Sequence, residues 1–354
     1  MRRKSLVLAV VLGAVAGVPA FADPVADFYK GKQIQFIIRS GVGGGYDQYS
    51  RMLARYIGKH IPGNPTVIPV NMPGGGGIVA ANYVANVAPK DGTILTMTSN
   101  GLPTDQALGL NTSLKFDLRT FNWIGNMGGS NQVLVVWYTS KTKSLADAKQ
   151  RETIFGTTGA GSITVQLPAL YNNILGTKFK IIFGYPDGAW TTAMERGELE
   201  ATNNAWSTYK TFATQYVEEK KIIPIIQAGL KKEPDLPDVP LLIDQATNPQ
   251  EHDMLDYMSR SVAVGRPIAT TPGVPADRIA ALRKAFDDTF KDPDFLNDVA
   301  TQKADVRYMS GDDLAKLVSS LIDAPQDLRD RVKQAIQPAN AEEFKGAKKK
   351  SGDD

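Results

Sequence analysis

Between residues 33 and 98 the sequence alternates strand-length apolar runs with helix-length amphipathic ones, and glycine-rich loops stand at the joints. Residues 33–39 read as a buried strand and 46–60 as a helix. Residues 66–71 read as a second strand, 78–87 as a helix, and 93–98 as a third strand after the Pro89-Lys90-Asp91-Gly92 turn. Strands alternating with helices of this length pack as right-handed βαβ units, which predicts a mainly parallel sheet covered by helices.

A second series follows residue 122. Strands are expected at 133–138, 153–157, 180–183, 201–203 and 222–227, with a capped helix start at 144–149 and a helix over 164–175. Glu233-Pro234-Asp235-Leu236-Pro237-Asp238-Val239-Pro240 reads as a surface loop, because its prolines fit neither a helix interior nor a central strand. The chain then returns to a strand at 261–266, an amphipathic helix at 275–291 and a further helix at 314–322. A frayed tail is expected from 341 to 354. Two αβ series in about 330 residues predict two α/β lobes: 23–132 with 261–340 as the first, and 133–260 as the second.

The first 22 residues stand outside this pattern. Arg2, Arg3 and Lys4 precede the apolar run 6–18, and Ala20-Phe21-Ala22 supplies a small-x-small cleavage pattern, the order of a secretory signal. The run is too short to span a bilayer. Export to the periplasm is therefore expected. Three of the chain's 40 basic residues lie in that leader and no acidic one does, leaving 37 basic against 37 acidic residues. That balance gives no electrostatic case for nucleic acid. Cysteine is absent, which removes disulfides and thiol chemistry.

Three glycine loops follow strands. The first is Ser40-Gly41-Val42-Gly43-Gly44-Gly45-Tyr46-Asp47, the second Asn71-Met72-Pro73-Gly74-Gly75-Gly76-Gly77, and the third Gly156-Thr157-Thr158-Gly159-Ala160-Gly161-Ser162. Glycines there let backbone approach a ligand, and the N–H groups at a helix start favour an anion. Asp47 fits either a helix cap or a ligand contact. In open α/β sheets ligands bind outside the carboxyl ends of strands, where these loops fall. Tyr185, Asp187 and Trp206 follow later strands and could line the same cleft, and Asn100 follows the third strand. Arg39, the one charge at the end of an apolar strand, is a candidate carboxylate fork or the partner of an acidic neighbour.

Catalytic constellations are missing. Gly41-Val42-Gly43 begins like a dinucleotide fingerprint, but Tyr46 occupies the last glycine position, and no P-loop occurs. His60 and His252 are the two histidines and neither lies in H-E-x-x-H, so no metal and no cofactor is expected. Ser162 lacks the G-x-S-x-G frame. Ser140 with Lys143 and Ser207 with Lys210 satisfy S-x-x-K, but no S-D-N or K-T-G accompanies them. A secreted serine hydrolase and a cell-envelope adaptor with an empty cleft are the alternative readings.

Several segments resemble the Bug-type periplasmic solute-binding proteins of tripartite tricarboxylate transporters. Asn71-Met72-Pro73-Gly74-Gly75-Gly76-Gly77, running through Val84-Ala85-Asn86-Val87-Ala88-Pro89-Lys90-Asp91-Gly92-Thr93-Ile94-Leu95, is similar to that family's N-x-P-G-A-G-G and V-A-x-A-x-P-D-G-Y-T-L segments. Gly43-Gly44 with Asp47 and Arg51 is similar to its P-G-G-x-x-D-x-x-A-R segment, and Gly156-Thr157-Thr158-Gly159 to its G-T-G-S loop. Gly184-Tyr185 through Gly197-Glu198, and Gln227-Ala228-Gly229 with the 236–240 loop, continue the likeness. The resemblance implies a type II periplasmic-binding fold whose cleft captures a small organic carboxylate. It implies that the ligand is clasped by Ser40, Gly41, Val42, Gly45, Tyr46 and Asp47 on one side, and by Thr157, Thr158, Gly159, Ala160, Gly161 and Ser162 on the other. It also implies a monomeric, non-catalytic receptor that delivers its cargo to the membrane permease subunits of a transporter. Ser40, Gly41 and Val42 replace the prolines usual in the first loop, and the histidine usual after the second clasp is absent near Ile163 and Thr164.

Overall fold

The computed structural model describes residues 23–339 except Gly44, 158–161 and 186–188. The expected leader and the tail from 341 lie outside the described residues. The strands are β1 Gln33–Ile38, β2 Thr66–Asn71, β3 Ile94–Met97, β4 Asn122–Asn126, β5 Gln132–Trp137, β6 Thr153–Gly156, β7 Phe179–Ile182, β8 Ala201–Ala205, β9 Ile222–Ala228, β10 Pro267–Thr270 and β11 Met309–Ser310. They form a six-stranded sheet in the order β11-β4-β10-β3-β1-β2 and a five-stranded sheet in the order β7-β6-β8-β5-β9.

Neither sheet is mainly parallel, which corrects the expectation from the sequence. In the first, β1 runs parallel to β2 and β3, while β10 is antiparallel to β3 and β4, and β11 to β4. In the second, β6 is parallel to β7 and β8, while β5 is antiparallel to both β8 and β9. The parallel pairs are the local βαβ units. The antiparallel joints include β5 and β10, which arrive from the other sheet instead of returning over a helix of their own, so the crossover rule does not govern them.

Helix Gly45–Ile57 forms because Tyr49, Met52, Leu53 and Ile57 fall on one face and are all buried. That face packs with Phe36, Leu95 and Met97 of the first sheet and with Leu282 and Phe286 of helix Ala276–Thr289. In the second sheet β5 is buried at every position, as suits a central strand. Trp190, Trp206 and Tyr209 cover one of its faces against Val133 and Val135. A larger core runs through both halves, carried by Met254, Leu255 and Met258 of helix Pro249–Ala263, Leu321 of helix Gly311–Ile322 and Leu328 of helix Gln326–Ala335.

The strand expected at 261–266 is a second correction. Residues 261–263 are the last turn of helix Pro249–Ala263, which Asn248 caps by accepting from the Glu251 N–H, and the strand begins at Pro267. The short apolar run Ser261-Val262-Ala263-Val264 fits either period, and the buried helical stripe ending in Val262 decides it. Gly265 then breaks the helix at φ +58°.

One buried acid is out of balance. Asp105, in helix Leu102–Leu108, has a buried Oδ1 with no hydrogen-bond partner, and burial pushes its carboxyl up to about 7. Its folded value lies above the unfolded one, so its cost to the fold is absent below about pH 4, grows as the pH rises and is complete above about pH 7. Asp105→Asn is expected to raise stability by about 2 kcal/mol at pH 8, half the full linkage value because an amide inherits part of the unpaired burial, and by little at pH 4. Urea unfolding at both pH values checks this. An equal gain at pH 4 and pH 8 would mean that the carboxylate charge is not the source.

The candidate ligand-binding cleft

The first glycine loop leaves β1 and enters helix Gly45–Ile57, and the side chains around it hold the loop in place. Asp47 is buried; its Oδ2 accepts from the Gly43 N–H at 2.9 Å, and its Oδ1 from Arg51 Nε at 2.9 Å and Asn71 Nδ2 at 2.8 Å. Burial pushes this carboxyl up, but the bonds from Arg51, Gly43 and Asn71 outweigh it and hold the group below its ordinary value. Asn71 Nδ2 also donates to the Ser40 carbonyl, at 2.9 Å. Both carboxylate oxygens of Asp47 are therefore occupied by Gly43, Arg51 and Asn71. Gly41 and Gly45 flank the turn with open space where a side chain would start, and Val42 is exposed.

The second loop serves Arg39. Gly77, at φ +105°, leaves room that a Cβ would fill at 2.8 Å from Arg39 Cδ, and the Gly76 carbonyl accepts from Arg39 Nη1 at 3.2 Å. The guanidinium stacks 3.6 Å over the ring of Tyr46. No acidic side chain lies within salt-bridge distance of Arg39 among the described residues, and its buried Nε has no hydrogen-bond partner. Tyr46 Oη accepts from the Asn100 N–H and lies 3.2 Å from Asn100 Oδ1, which brings two of the expected site residues together.

The chain crosses between the sheets at 127–131 and again around Gly265, and the two crossings touch. A Cβ on Gly129 would stand 3.2 Å from Gly265 Cα, and one on Gly265 would stand 2.7 Å from the Gly128 carbonyl carbon. Tyr46 Oη also donates to the Gly265 carbonyl at 3.4 Å. Beside the crossings Glu233 is fully buried, accepting from the Asn131 N–H at 2.6 Å and from Arg307 Nη2 at 2.5 Å. Gly45, Gln48 and Tyr49 from the first half share a pocket with Ser207 and Thr208 from the second and with Arg266. Sequence reasoning missed Arg266, which it placed as the last residue of the strand expected at 261–266.

On the other side, Thr157 follows β6 and turns inward, its N–H and hydroxyl both donating to the Ile182 carbonyl, while its own carbonyl accepts from the Tyr185 N–H. Ser162 precedes helix Ile163–Leu175, with its hydroxyl 2.6 Å from that of Thr164. Tyr185 is half-buried against the second core. Trp206 is buried within it, and its Nε1 donates to Asp235. Thr158, Gly159, Ala160, Gly161 and Asp187 lie outside the described residues.

The two-sheet fold with its double crossing has counterparts in known proteins. A sequence model described as "Tripartite tricarboxylate transporter family receptor" matches residues 50–330. The chain belongs to the tripartite tricarboxylate transporter receptor family. A TctC solute-binding protein from Polaromonas has the same fold, with a TM-score of 0.66 at 21% identity over 87% of this chain and 99% of that one. MatC from Rhodopseudomonas palustris, solved with bound malate, gives 0.63 at 18% over 86% and 99%. At these identities the likeness is one of fold, the two-lobed α/β architecture of periplasmic binding proteins. A UPF0065 protein from the TAR-I ttuE-ttuC' intergenic region of Agrobacterium vitis is 28% identical over 162 residues, 44% of this chain. The chain spans about half, 46%, of the length of that curated relative.

The family is one of solute-binding receptors, not enzymes. Ser140 donates to Glu200 while Lys143 reaches the Tyr138 carbonyl; Ser207 is bonded to Ser130 while Lys210 pairs with Asp235. Neither S-x-x-K pair is a serine–lysine contact. Among the described residues no cluster of His, Asp and Glu could hold a metal ion, and no helix is long and apolar enough to cross a membrane.

Proposed function

We propose that this receptor captures a small organic carboxylate between its two sheets in the periplasm and delivers it to the membrane permease subunits of a tripartite tricarboxylate-type transporter. The observation that carries the reading is Arg39. A guanidinium stacked on Tyr46, with a buried Nε lacking an acceptor and no acid in reach among the described residues, is a donor set still short of its partner. A buried donor left unmade costs about 1–3 kcal/mol, which a ligand carboxylate would recover. The N–H groups at the start of helix Gly45–Ile57 add a positive end on the same side. Malate in the related MatC is a ligand of the same class.

The reading divides the labour between two lobes. Residues 23–132 with 261–340 make one lobe and 133–260 the other, and the clasp combines Ser40, Gly41, Val42, Gly45, Tyr46 and Asn100 with the 157–162 loop and Tyr185. Asp47 holds the loop that does the clasping. Closure around the ligand excludes water and strengthens each N–H to carboxylate bond. A permease that discriminates loaded from empty receptor needs only the difference in lobe arrangement that differential affinity creates. Residues 1–22 would be removed on export, and the receptor acts as a monomer.

A thermal-shift screen of the mature protein against small carboxylates, with sugars and nucleotides as controls, tests this. A carboxylate at about 100 times its dissociation constant is expected to add about 2.7 kcal/mol of stability. Stabilisation by neutral sugars alone would rule out the carboxylate reading.

A further inference from the structure

Among the described residues Arg266 is a second guanidinium without an acid, and it stands where the two halves meet. Its guanidinium lies 3.6 Å over the ring of Tyr49, which belongs to the helix packed on the first sheet. Its Nη2 donates to Ser207 Oγ at 3.4 Å, on the helix that follows β8 of the second sheet, and its Nη1 to the Gly128 carbonyl at 3.2 Å, in the crossing itself. No acidic side chain lies within 4.0 Å of it among the described residues. Asp305, whose N–H donates to Tyr49 Oη, has its carboxylate on Arg307.

The surroundings suit an anion. Gly45, Gln48, Ser207 and Thr208 line the pocket with Arg266, offering hydroxyls, an amide and the start of a helix. Ser207 is itself oriented, since its N–H donates to Ser130 Oγ at 2.7 Å and its hydroxyl accepts from the same oxygen at 3.0 Å. Stacking on Tyr49 occupies a face of the guanidinium. The N–H groups lie in its plane, and two of the five are used, so an edge remains for a planar two-oxygen acceptor.

Tyr46 and Tyr49 are three residues apart and so share a face of their helix, which places the Arg39 and Arg266 stacks along one stripe. We propose that the Arg266 pocket is a second anion site, in which Arg266 forks one carboxylate of a dicarboxylic ligand whose other carboxylate meets the Arg39 side. The ligand then links the two sheets through Tyr49 and Ser207, and the second charge selects dianions over monoanions. This rests on the carboxylate-receptor reading above.

The test is a cycle between protein and ligand charge. Malate, succinate and adipate, each with its monoamide, are titrated calorimetrically into the mature wild-type protein, R266Q and R266K. The wild type is expected to bind at least one dicarboxylate and to lose roughly 30- to 100-fold when one carboxylate becomes an amide. R266Q should lose about as much for the dicarboxylate and show less than about 3-fold further loss for the amide, because the interaction is already gone. R266K, which keeps the charge without the fork, should fall between. Wild-type affinity of R266Q for the dicarboxylate would overturn the second site and leave the receptor reading standing. Equal losses for the dicarboxylate and its amide in R266Q would assign Arg266 a structural role and overturn the proposal as well. Failure of the wild type to bind any of the three would overturn the dicarboxylate site and leave the carboxylate reading to stand or fall on the thermal-shift screen.

Discussion

Gly265→Ala is expected to lower the unfolding free energy by about 3 kcal/mol. Gly265 holds φ +58°, a conformation that costs an L-residue about 1–2 kcal/mol. The added methyl would also stand 2.7 Å from the carbonyl carbon of Gly128, 2.8 Å from its oxygen and 2.9 Å from the Gly129 nitrogen. All three are backbone atoms, so relief requires the two crossings to separate. Relaxation of that kind typically adds about 1–3 kcal/mol. The same shift moves the carbonyl that accepts from Tyr46, so ligand affinity should fall along with stability. Urea unfolding gives the first quantity and calorimetry the second. A loss below about 1 kcal/mol would mean that the crossings part easily and are not held by their contact.

Glu233→Ala should destabilise by a similar amount through a different cause. The carboxylate is fully buried and serves two donors, the Asn131 N–H and the Arg307 guanidinium. Truncation leaves a buried N–H unmade and removes the acid that joins the two halves, the kind of loss that costs 3–5 kcal/mol when both partners are buried. Arg307 is about a third exposed and keeps Asp305, which brings the expectation down to about 3 kcal/mol. Arg307→Ala is the informative comparison. It should cost at least as much, because it leaves the fully buried Glu233 carboxylate without its cation, and a clearly smaller loss than for Glu233→Ala would mean that the Asn131 N–H alone satisfies the acid.

The sequence carried most of the fold because its signals were local. The β1 and β2 runs, their glycine loops and the Ser144 cap all appear where hydrophobic period and capping chemistry place them. Strand direction was less legible: β5 and β10 look like any other apolar run, and only the crossing decides that they run antiparallel. The site divides in the same way. Asp47 and Asn71 could be found from loop position, but their mutual bond joins residues 24 apart in sequence. Arg39 was visible as a charge ending an apolar strand, and the unfilled Nε was not. Arg266 was hidden entirely, since its meaning lies in Tyr49 and Ser207, which long-range packing brings to it.

The order of strands bears on how the chain can acquire its shape. The five-stranded sheet is built from one continuous stretch, β5 to β9, and can assemble as soon as that stretch is free. The six-stranded sheet cannot. Its middle strand is β10, which sits between β3 and β4 and is contributed by the last quarter of the chain. Until β10 arrives, β3 and β4 each present an open edge, and the early βαβ units are an incomplete template. A chain emerging from its amino end therefore leaves its first sheet incomplete until about three quarters of it has been made, and the second sheet can close before the first.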